Sequence, residues 1–293
     1  MERLGLGIGF GLVTGGVLAL SAIAFTLQYA VSRIPNLAFG ELLTYGAYAG
    51  YLASRWTHNL AAAAAAAALT GSVIGWAINA GMIEPFLRAR VRTSAIFIGT
   101  LAVSLVLQNI ILLAFGGASI AYPLPPEDSQ RVGPFIWTPR DEQSLAAALV
   151  VMLLLYILLR HTKFGKALRA IADNRDLARV SGIQAHRIIQ LTWGLGGLVA
   201  GFAGFVLAVT LGTLTPTFGF TFLLVTMAAA VAGGLGRPQG ALVAALLIGI
   251  AMEVSALYVD ASYKLLIAFG LLVLVLLVRP AGLVAGEGGS AAA

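Results

Sequence analysis

The sequence predicts an all-α polytopic membrane protein with about eight to nine transmembrane helices. Hydrophobic residues make up 59% of the 293 and charged residues only 10%, against roughly 45–50% and about 25% in a soluble domain. The mean hydropathy is +0.94. Apolar stretches of about 20 residues, the length that crosses a bilayer core, recur along the whole chain. So few charges cannot solvate the surface of a globule of this size, which excludes the soluble-enzyme and nucleic-acid-binding classes. The net charge of +6 is loop charge at a membrane surface, and the expected surroundings are membrane lipid and no nucleic acid. With no cysteine, disulfides and thiolate metal sites are ruled out. His58, His161 and His186 fall at segment ends or in loops, so neither a metal nor another cofactor is expected.

Candidate spans run over 5–31, 37–55, 60–80, 94–115, 144–160, 187–213, 218–234, 239–258 and 264–278. The first has only Glu2 and Arg3 ahead of it and is too long for a signal-peptide core, so it reads as a retained helix. Gly7, Gly11 and Gly15 share one of its faces. Gly46 with Gly50 and Gly197 with Gly201 repeat that spacing, and small faces let helices approach closely in lipid. Alanines 61–68 read as a tightly packed helix. The fourth segment carries Thr100, Ser104 and Gln108 at i, i+4, i+8, a polar stripe on one face. The last segment ends in Leu and Val alone over 271–278, as a lipid-facing helix does.

Basic residues set the orientation. Arg33, the Arg88–Arg90–Arg92 cluster, the run from Arg160 to Arg187, Arg237 and Arg279 go to the cytoplasm. Arg3, Arg55, Arg131, Arg140 and Lys264 are left outside, with an external N-terminus and an internal C-terminus. Taking 5–55 as one span plus a re-entrant piece would move the N-terminus inside. The 116–143 loop, with Pro123, Pro125, Pro126, Pro134 and Pro139, reads as an extended external cap. The polar stretches are too short for a soluble domain, so 1–293 reads as a single transmembrane permease domain, and any ATPase or ligand-binding domain belongs to another chain.

Three features point toward function. In the cytoplasmic loop 160–187, Asp173 or Asn174 suits a helix N-cap and Gly182 a left-handed terminator. Between them, Leu177, Ala178 and Val180 form a small apolar surface flanked by Arg175, Asp176 and Arg179. A short helix over 173–182 is then a docking knob for a soluble partner, with Leu177 and Val180 inserted and Arg175 and Arg179 on the rim; an ordinary basic loop is the other reading. Second, Glu41, Gln108, Asn109 and Glu253 are polar groups within spans, where they are costly and mark pathways by default. Third, PNLAFG (35–40) precedes the second segment and PTFG (216–219) the seventh, an echo that points toward inverted repeats around a central site. Asn36, Glu41, Thr100, Ser104 and Gln108 are expected to face a central cavity. No HExxH, no Walker A and no Ser/His pair on facing segments is present, so no catalytic residue is expected.

RIPNLAFGELLTYGAYAGY (33–51) resembles the first signature of the LivH-type branched-chain amino acid ABC permeases, an Asn-Phe-Ala-His-Gly-Glu core followed by Gly-Ala-Tyr. Asn36, Ala38, Gly40, Glu41, Gly46, Ala47 and Tyr48 match, while Leu37 and Phe39 replace Phe and His. The stretches 84–116, 162–183, 228–258 and 273–283 are similar to later blocks, so the resemblance covers most of the chain in order. It implies a multi-pass permease subunit of the bacterial inner membrane, without an ATPase site of its own, in an importer of branched-chain amino acids, other amino acids, short amides or urea. It implies three further things: partners, a substrate pathway and an ATPase-coupling loop. The partners are a second homologous permease subunit, two ATP-binding cassette ATPase subunits and an extracytoplasmic substrate-binding protein. The substrate pathway falls on Asn36, Gly40, Glu41, Thr100, Ser104 and Gln108. ATPase coupling falls on Asp173, Arg175, Leu177, Arg179, Val180 and Gly182. A secondary transporter or a channel for small polar solutes is the alternative, and a rigid cytoplasmic knob discriminates against both.

Overall fold

The computed structural model of the protein describes residues 2–124, 127–133, 135–280 and 282–283. Pro125, Pro126 and Pro134 of the expected external cap lie outside the described residues. In chain order the helices are α1 (Glu2–Ser32), α2 (Phe39–Thr57), α3 (Leu60–Ile78), α4 (Glu84–Arg88), α5 (Thr93–Phe115), α6 (Pro139–His161), α7 (Lys163–Asp173), α8 (Arg175–Val180), α9 (Ala185–Leu211), α10 (Phe218–Gly233), α11 (Pro238–Ser255) and α12 (Lys264–Val278). A π turn, Asn79–Ile83, joins α3 to α4 in one continuous rod. Strands are short: β1 (Ile120–Ala121), β2 (Gln130–Val132), β3 (Phe135–Trp137) and β4 (Thr213–Leu214), with β1 pairing β4 and β2 pairing β3, both antiparallel.

The protein is a multi-pass, all-α membrane protein. Among the described residues, seven helices are long and apolar enough to cross a bilayer: Leu4–Ser32, Leu60–Arg88, Thr93–Phe115, Pro139–His161, Ala185–Leu211, Pro238–Ser255 and Ala261–Val278, with Phe218–Gly233 a shorter apolar helix. Residues 5–55 form two separate helices. The second, α2, has 19 residues but is less apolar than the others, because it carries Glu41, Arg55, three tyrosines and three glycines. It is nonetheless buried from Phe39 to Thr44 and again at Gly46–Tyr48. A helix surrounded by protein has no need of lipophilic side chains.

By its contacts the chain divides into two compact units. One comprises Met1–Thr26, Pro125–Leu149 and Leu224–Ala293. In it the glycine face of α1 lies on α11: a Cβ at Gly15 would stand 3.1 Å from Leu246 Cα, so the two backbones meet with no side chain between them. Beside that seam Thr14 Oγ1 donates to Glu253 Oε1 at 3.2 Å, and Lys264 Nζ binds both Glu253 oxygens at 2.7 and 2.8 Å. Glu253, read from the sequence as a pathway candidate, is thus tied in an ion pair. At the start of α6, Arg140 pairs with Glu127 of the preceding segment at 3.1 Å, and Thr138 donates its N–H and its hydroxyl to Asp141 Oδ2.

The other unit comprises Leu27–Leu124 and Val150–Leu223. Here α9 packs along α3 and α2. Gly71 and Gly75 of α3 face Gly197 and Gly201 of α9, and Gly46 of α2 also meets Gly201. Asn59 caps α3, its side chain accepting from the Ala61 and Ala62 N–H at 2.8 and 3.3 Å, so the alanine run begins as a well-stopped helix. At one end of the unit, Ser54 near the close of α2 bonds Tyr122, and β1 pairs with β4. Burial pushes the Tyr122 hydroxyl up to about 12, with the Ser54 bond opposing, so it remains a neutral partner. The opposite end gathers Arg33, which donates to the Ala172 carbonyl, and Glu84, which pairs with His186.

Candidate functional site

The start of α2 is built by a tight turn. Asn36 Oδ1 accepts from the Ala38 N–H at 3.0 Å, and the Phe39 N–H reaches back to the Asn36 carbonyl at 3.3 Å. Buried Asn36 then donates through Nδ2 to Gln28 Oε1 at 3.2 Å. The turn leaves the Leu37 N–H without a helical partner, and Thr100 Oγ1 of α5 accepts it at 3.1 Å. One helical turn along α5, Ser104 Oγ donates to Glu41 Oε1 at 3.0 Å. The spacing of four between Thr100 and Ser104 therefore matches the step from Leu37 to Glu41 on the facing segment.

Glu41 is fully buried, and its Oε2 has no hydrogen-bond partner. The nearby Thr44 hydroxyl is committed: it donates to the Gly40 carbonyl at 3.2 Å and accepts the Gly219 N–H at 3.1 Å. An unpaired carboxylate oxygen is costly away from water. Gly40 admits the start of α10: a Cβ there would lie 2.8 Å from the Gly219 carbonyl oxygen. The two echoed motifs, PNLAFG and PTFG, thus meet at Gly40 and Gly219. Each enters its helix by the same kind of turn, since the Phe218 N–H bonds the Thr215 carbonyl at 3.1 Å.

Asn36, Gly40, Glu41, Thr100 and Ser104 are therefore gathered in one buried cluster. Gln108 is half-buried one turn beyond Ser104 on α5, and Asn109 is exposed, its Nδ2 donating to the Leu105 carbonyl at 2.7 Å. The stripe is polar against protein over its first two members and only partly so at the third.

The 160–187 segment holds two helices where the sequence suggests one. Its first, α7, is capped by Thr162, which accepts the Gly165 N–H at 3.2 Å, and buries Leu168 and Ile171. The short helix α8 occupies 175–180, within the expected 173–182. Asn174 is its cap, accepting from the Asp176 and Leu177 N–H at 3.1 and 2.9 Å; Asp173 belongs to the end of α7. Gly182 takes the left-handed conformation (φ +82°), and its N–H and that of Ile183 bond the Arg179 and Ala178 carbonyls, each at 3.0 Å. Such closure of both ends makes a six-residue helix stiff. Leu177 is 64% exposed and Val180 87%, while Ala178 is buried underneath. Arg179 stands exposed near Asp176 at 3.7 Å. Arg175 is not on the rim: it is half-buried on the side of Glu84 and Arg88, where burial and then Arg179 pull its guanidinium below the ordinary value.

Glu84 escaped sequence reasoning. It opens α4, is buried, pairs with Arg88 at 2.7 Å and contacts His186 of α9. Its only local signal is the Glu84–Arg88 spacing of four; His186 is about a hundred residues away in sequence.

The family of branched-chain amino acid transport system permease components matches residues 7–276. The high-affinity branched-chain amino acid transport system permease protein LivH of Salmonella typhimurium is 31% identical over 288 residues, covering 93% of this chain and 92% of that protein. BraD of Pseudomonas aeruginosa, which carries the same descriptive name, is 30% identical over 93% of both chains. The ribose import permease protein RbsC of Escherichia coli is 29% identical over 89% of this chain and 81% of its own length. No solved structure matches the chain. Buried polar helix starts on a glycine-seamed membrane core and a match over nearly the whole length have one reading: the chain belongs to the family of branched-chain amino acid transport system permease components.

Proposed function

We propose that this chain is the permease subunit of an ATP-driven importer of branched-chain amino acids or related small polar solutes. Residues 1–293 act as one permease domain, paired with a second permease subunit. Two separate ATPase subunits engage α8, and an extracytoplasmic binding protein delivers the solute. The observation that carries the pathway reading is Glu41: a fully buried carboxylate with one oxygen held by Ser104 and the other unpartnered. It sits where two Pro/Gly-interrupted helix starts meet, the arrangement expected of a central transport site. The free oxygen suits the ammonium of an amino acid, while Asn36, Gly40, Thr100, Ser104 and Gln108 shape the surrounding path.

The test is uptake by the reconstituted importer. Glu41→Gln, which keeps the shape and removes the charge, should lower leucine uptake by about tenfold to a hundredfold, the worth of a hydrogen bond to a charged group, with assembly unchanged. Uptake equal to wild type would overturn the assignment of Glu41, and no leucine uptake by the wild-type importer alongside active urea or ribose uptake would redirect the substrate class.

Orientation follows the same reading: 160–187 and the C-terminus in the cytoplasm, 116–143 outside. It is supported by the meeting of Arg33, the 84–88 segment and 172–186 at one end of their unit, with Ser54, Tyr122 and β4 at the other. Because the chain has no cysteine, Arg175→Cys gives a clean probe. An impermeant thiol reagent is expected to leave it unlabelled in intact cells and to label it in inverted vesicles; labelling from outside would reverse the topology.

A further inference from the structure

α9 touches the 60–88 rod along one face, in two different ways. Near Gly197 and Gly201 the contact is backbone on backbone with Ala67, Gly71 and Gly75, and a Cβ at Gly75 would stand 2.6 Å from the Trp193 carbonyl oxygen. No side chain is there to adjust, so this half moves only as a block. Nearer its start, α9 reaches the rod through long polar side chains instead. Gln190 Nε2 donates to the Trp76 carbonyl at 2.8 Å, and its Oε1 accepts from Asn79 Nδ2. His186, one turn earlier, contacts Glu84.

Between those two contacts the rod is not α-helical. The Glu84 N–H bonds the Asn79 carbonyl five residues back, closing the π turn Asn79–Ile83. A π turn weakens the regular hydrogen-bond ladder and is a common place for a helix to bend. Gln190 adds a bond from another helix to the Trp76 carbonyl, which also accepts from the Asn79 N–H. On the other side, α8 is joined to α9 by 181–184 alone, held by the turn at Gly182 and by the Ala185 N–H to Ile183 carbonyl bond of 2.8 Å. A displacement of α8 therefore carries the start of α9, and His186 with it.

We infer that Glu84 is a positioning residue for transport, tying the 60–88 rod through His186 to the start of α9, with the π turn Asn79–Ile83 as the hinge that bends when α8 moves. This rests on α8 being the docking helix. Glu84 lies behind the docking surface and not on it, so its loss uncouples the motion and leaves the ATPase bound.

The experiment uses the assembled importer in proteoliposomes, with Glu84→Ala, His186→Ala, the double variant and the conservative Glu84→Gln. ATPase retained by affinity-tagged permease should stay within about twofold of wild type. Uptake by Glu84→Ala should fall by about tenfold or more, within the range of ordinary coupling energies, while ATP hydrolysis loses its response to the solute-loaded binding protein. Glu84→Gln, which can still bond His186, should recover most of the uptake; His186→Ala, at a side chain 56% exposed, should lose uptake as Glu84→Ala does and stands in for it should that variant fail to insert. The double variant should be no worse than Glu84→Ala, since the two side chains act as one link. Wild-type uptake in Glu84→Ala or in His186→Ala, multiplicative losses in the double variant, or loss of bound ATPase on removing Glu84 would each overturn the proposal. Leu177→Asp measured in parallel separates the two readings: if it keeps the ATPase, the docking role of α8 falls, whatever Glu84 does to uptake.

Discussion

Replacing Leu177 with aspartate is expected to leave the permease inserted and folded but without its ATPase. Leu177 projects 64% exposed from a helix whose ends are closed by Asn174 and Gly182, so the substitution breaks no internal contact of the helix. In the proposed docked state the same position would lie against an apolar socket. A carboxylate buried there without a partner costs several kcal/mol, and about 3 kcal/mol already weakens association more than a hundredfold. Pull-down of the ATPase by tagged permease at equal membrane abundance reads the effect, together with uptake. Equal retention by wild type and variant would show that α8 is a basic anchor and not the docking element.

The largest structural effect is expected at Gly197. A Cβ there would run into the Gly71 carbonyl and lie 3.2 Å from Gly75 Cα. Backbone cannot change rotamer, so Gly197→Leu must push α9 off α3. Overpacking costs about 1–3 kcal/mol where side chains can yield; here the cost should exceed that range and consume much of a margin of about 5–15 kcal/mol. Gly270→Leu is the control, since nothing lies within 4 Å of a Cβ at Gly270. Detergent-extracted Gly197→Leu should yield little monodisperse protein, with Gly270→Leu near wild type. A normal yield and melting temperature for Gly197→Leu would mean that the seam carries little of the stability.

Periodic features were legible from the sequence, and long-range ones were not. Glycines at every fourth position marked the seams of α1 and α9 because the spacing itself is the cause of close approach. The cap and terminator of α8 were readable because Asn174 and Gly182 act within three residues of themselves. The Thr100–Ser104 stripe declared a polar neighbour without naming it; that Glu41 is the neighbour depends on how α5 lies along α2. The paired Pro/Gly motifs were visible as an echo, but their meeting at Gly40 and Gly219 belongs to the tertiary fold. Nothing local told Glu84 from an ordinary i, i+4 partner of Arg88, and nothing in Asn79–Ile83 announced a π turn, because Gln190 stabilises it from another helix. The half-burial of Arg175 was out of reach for a similar reason: Glu84 and Arg88, which face it, lie far away in the chain.

The polarity of α2 has a consequence for how the chain is made. Glycines, tyrosines and Glu41 make α2 a poor substrate for release into lipid on its own, and the surfaces that enclose it in the finished protein include α9. α9 leaves the ribosome much later; at about 5–20 residues per second the delay is on the order of ten seconds. During that interval α2 must be sheltered, in the insertion machinery or paired with α3, whose alanines and glycines offer it a close face. Nascent chains arrested before Ala185 should therefore keep α2 extractable or cross-linkable to the insertion machinery, and chains arrested beyond Leu211 should release it. Biogenesis of this permease waits on its ninth helix.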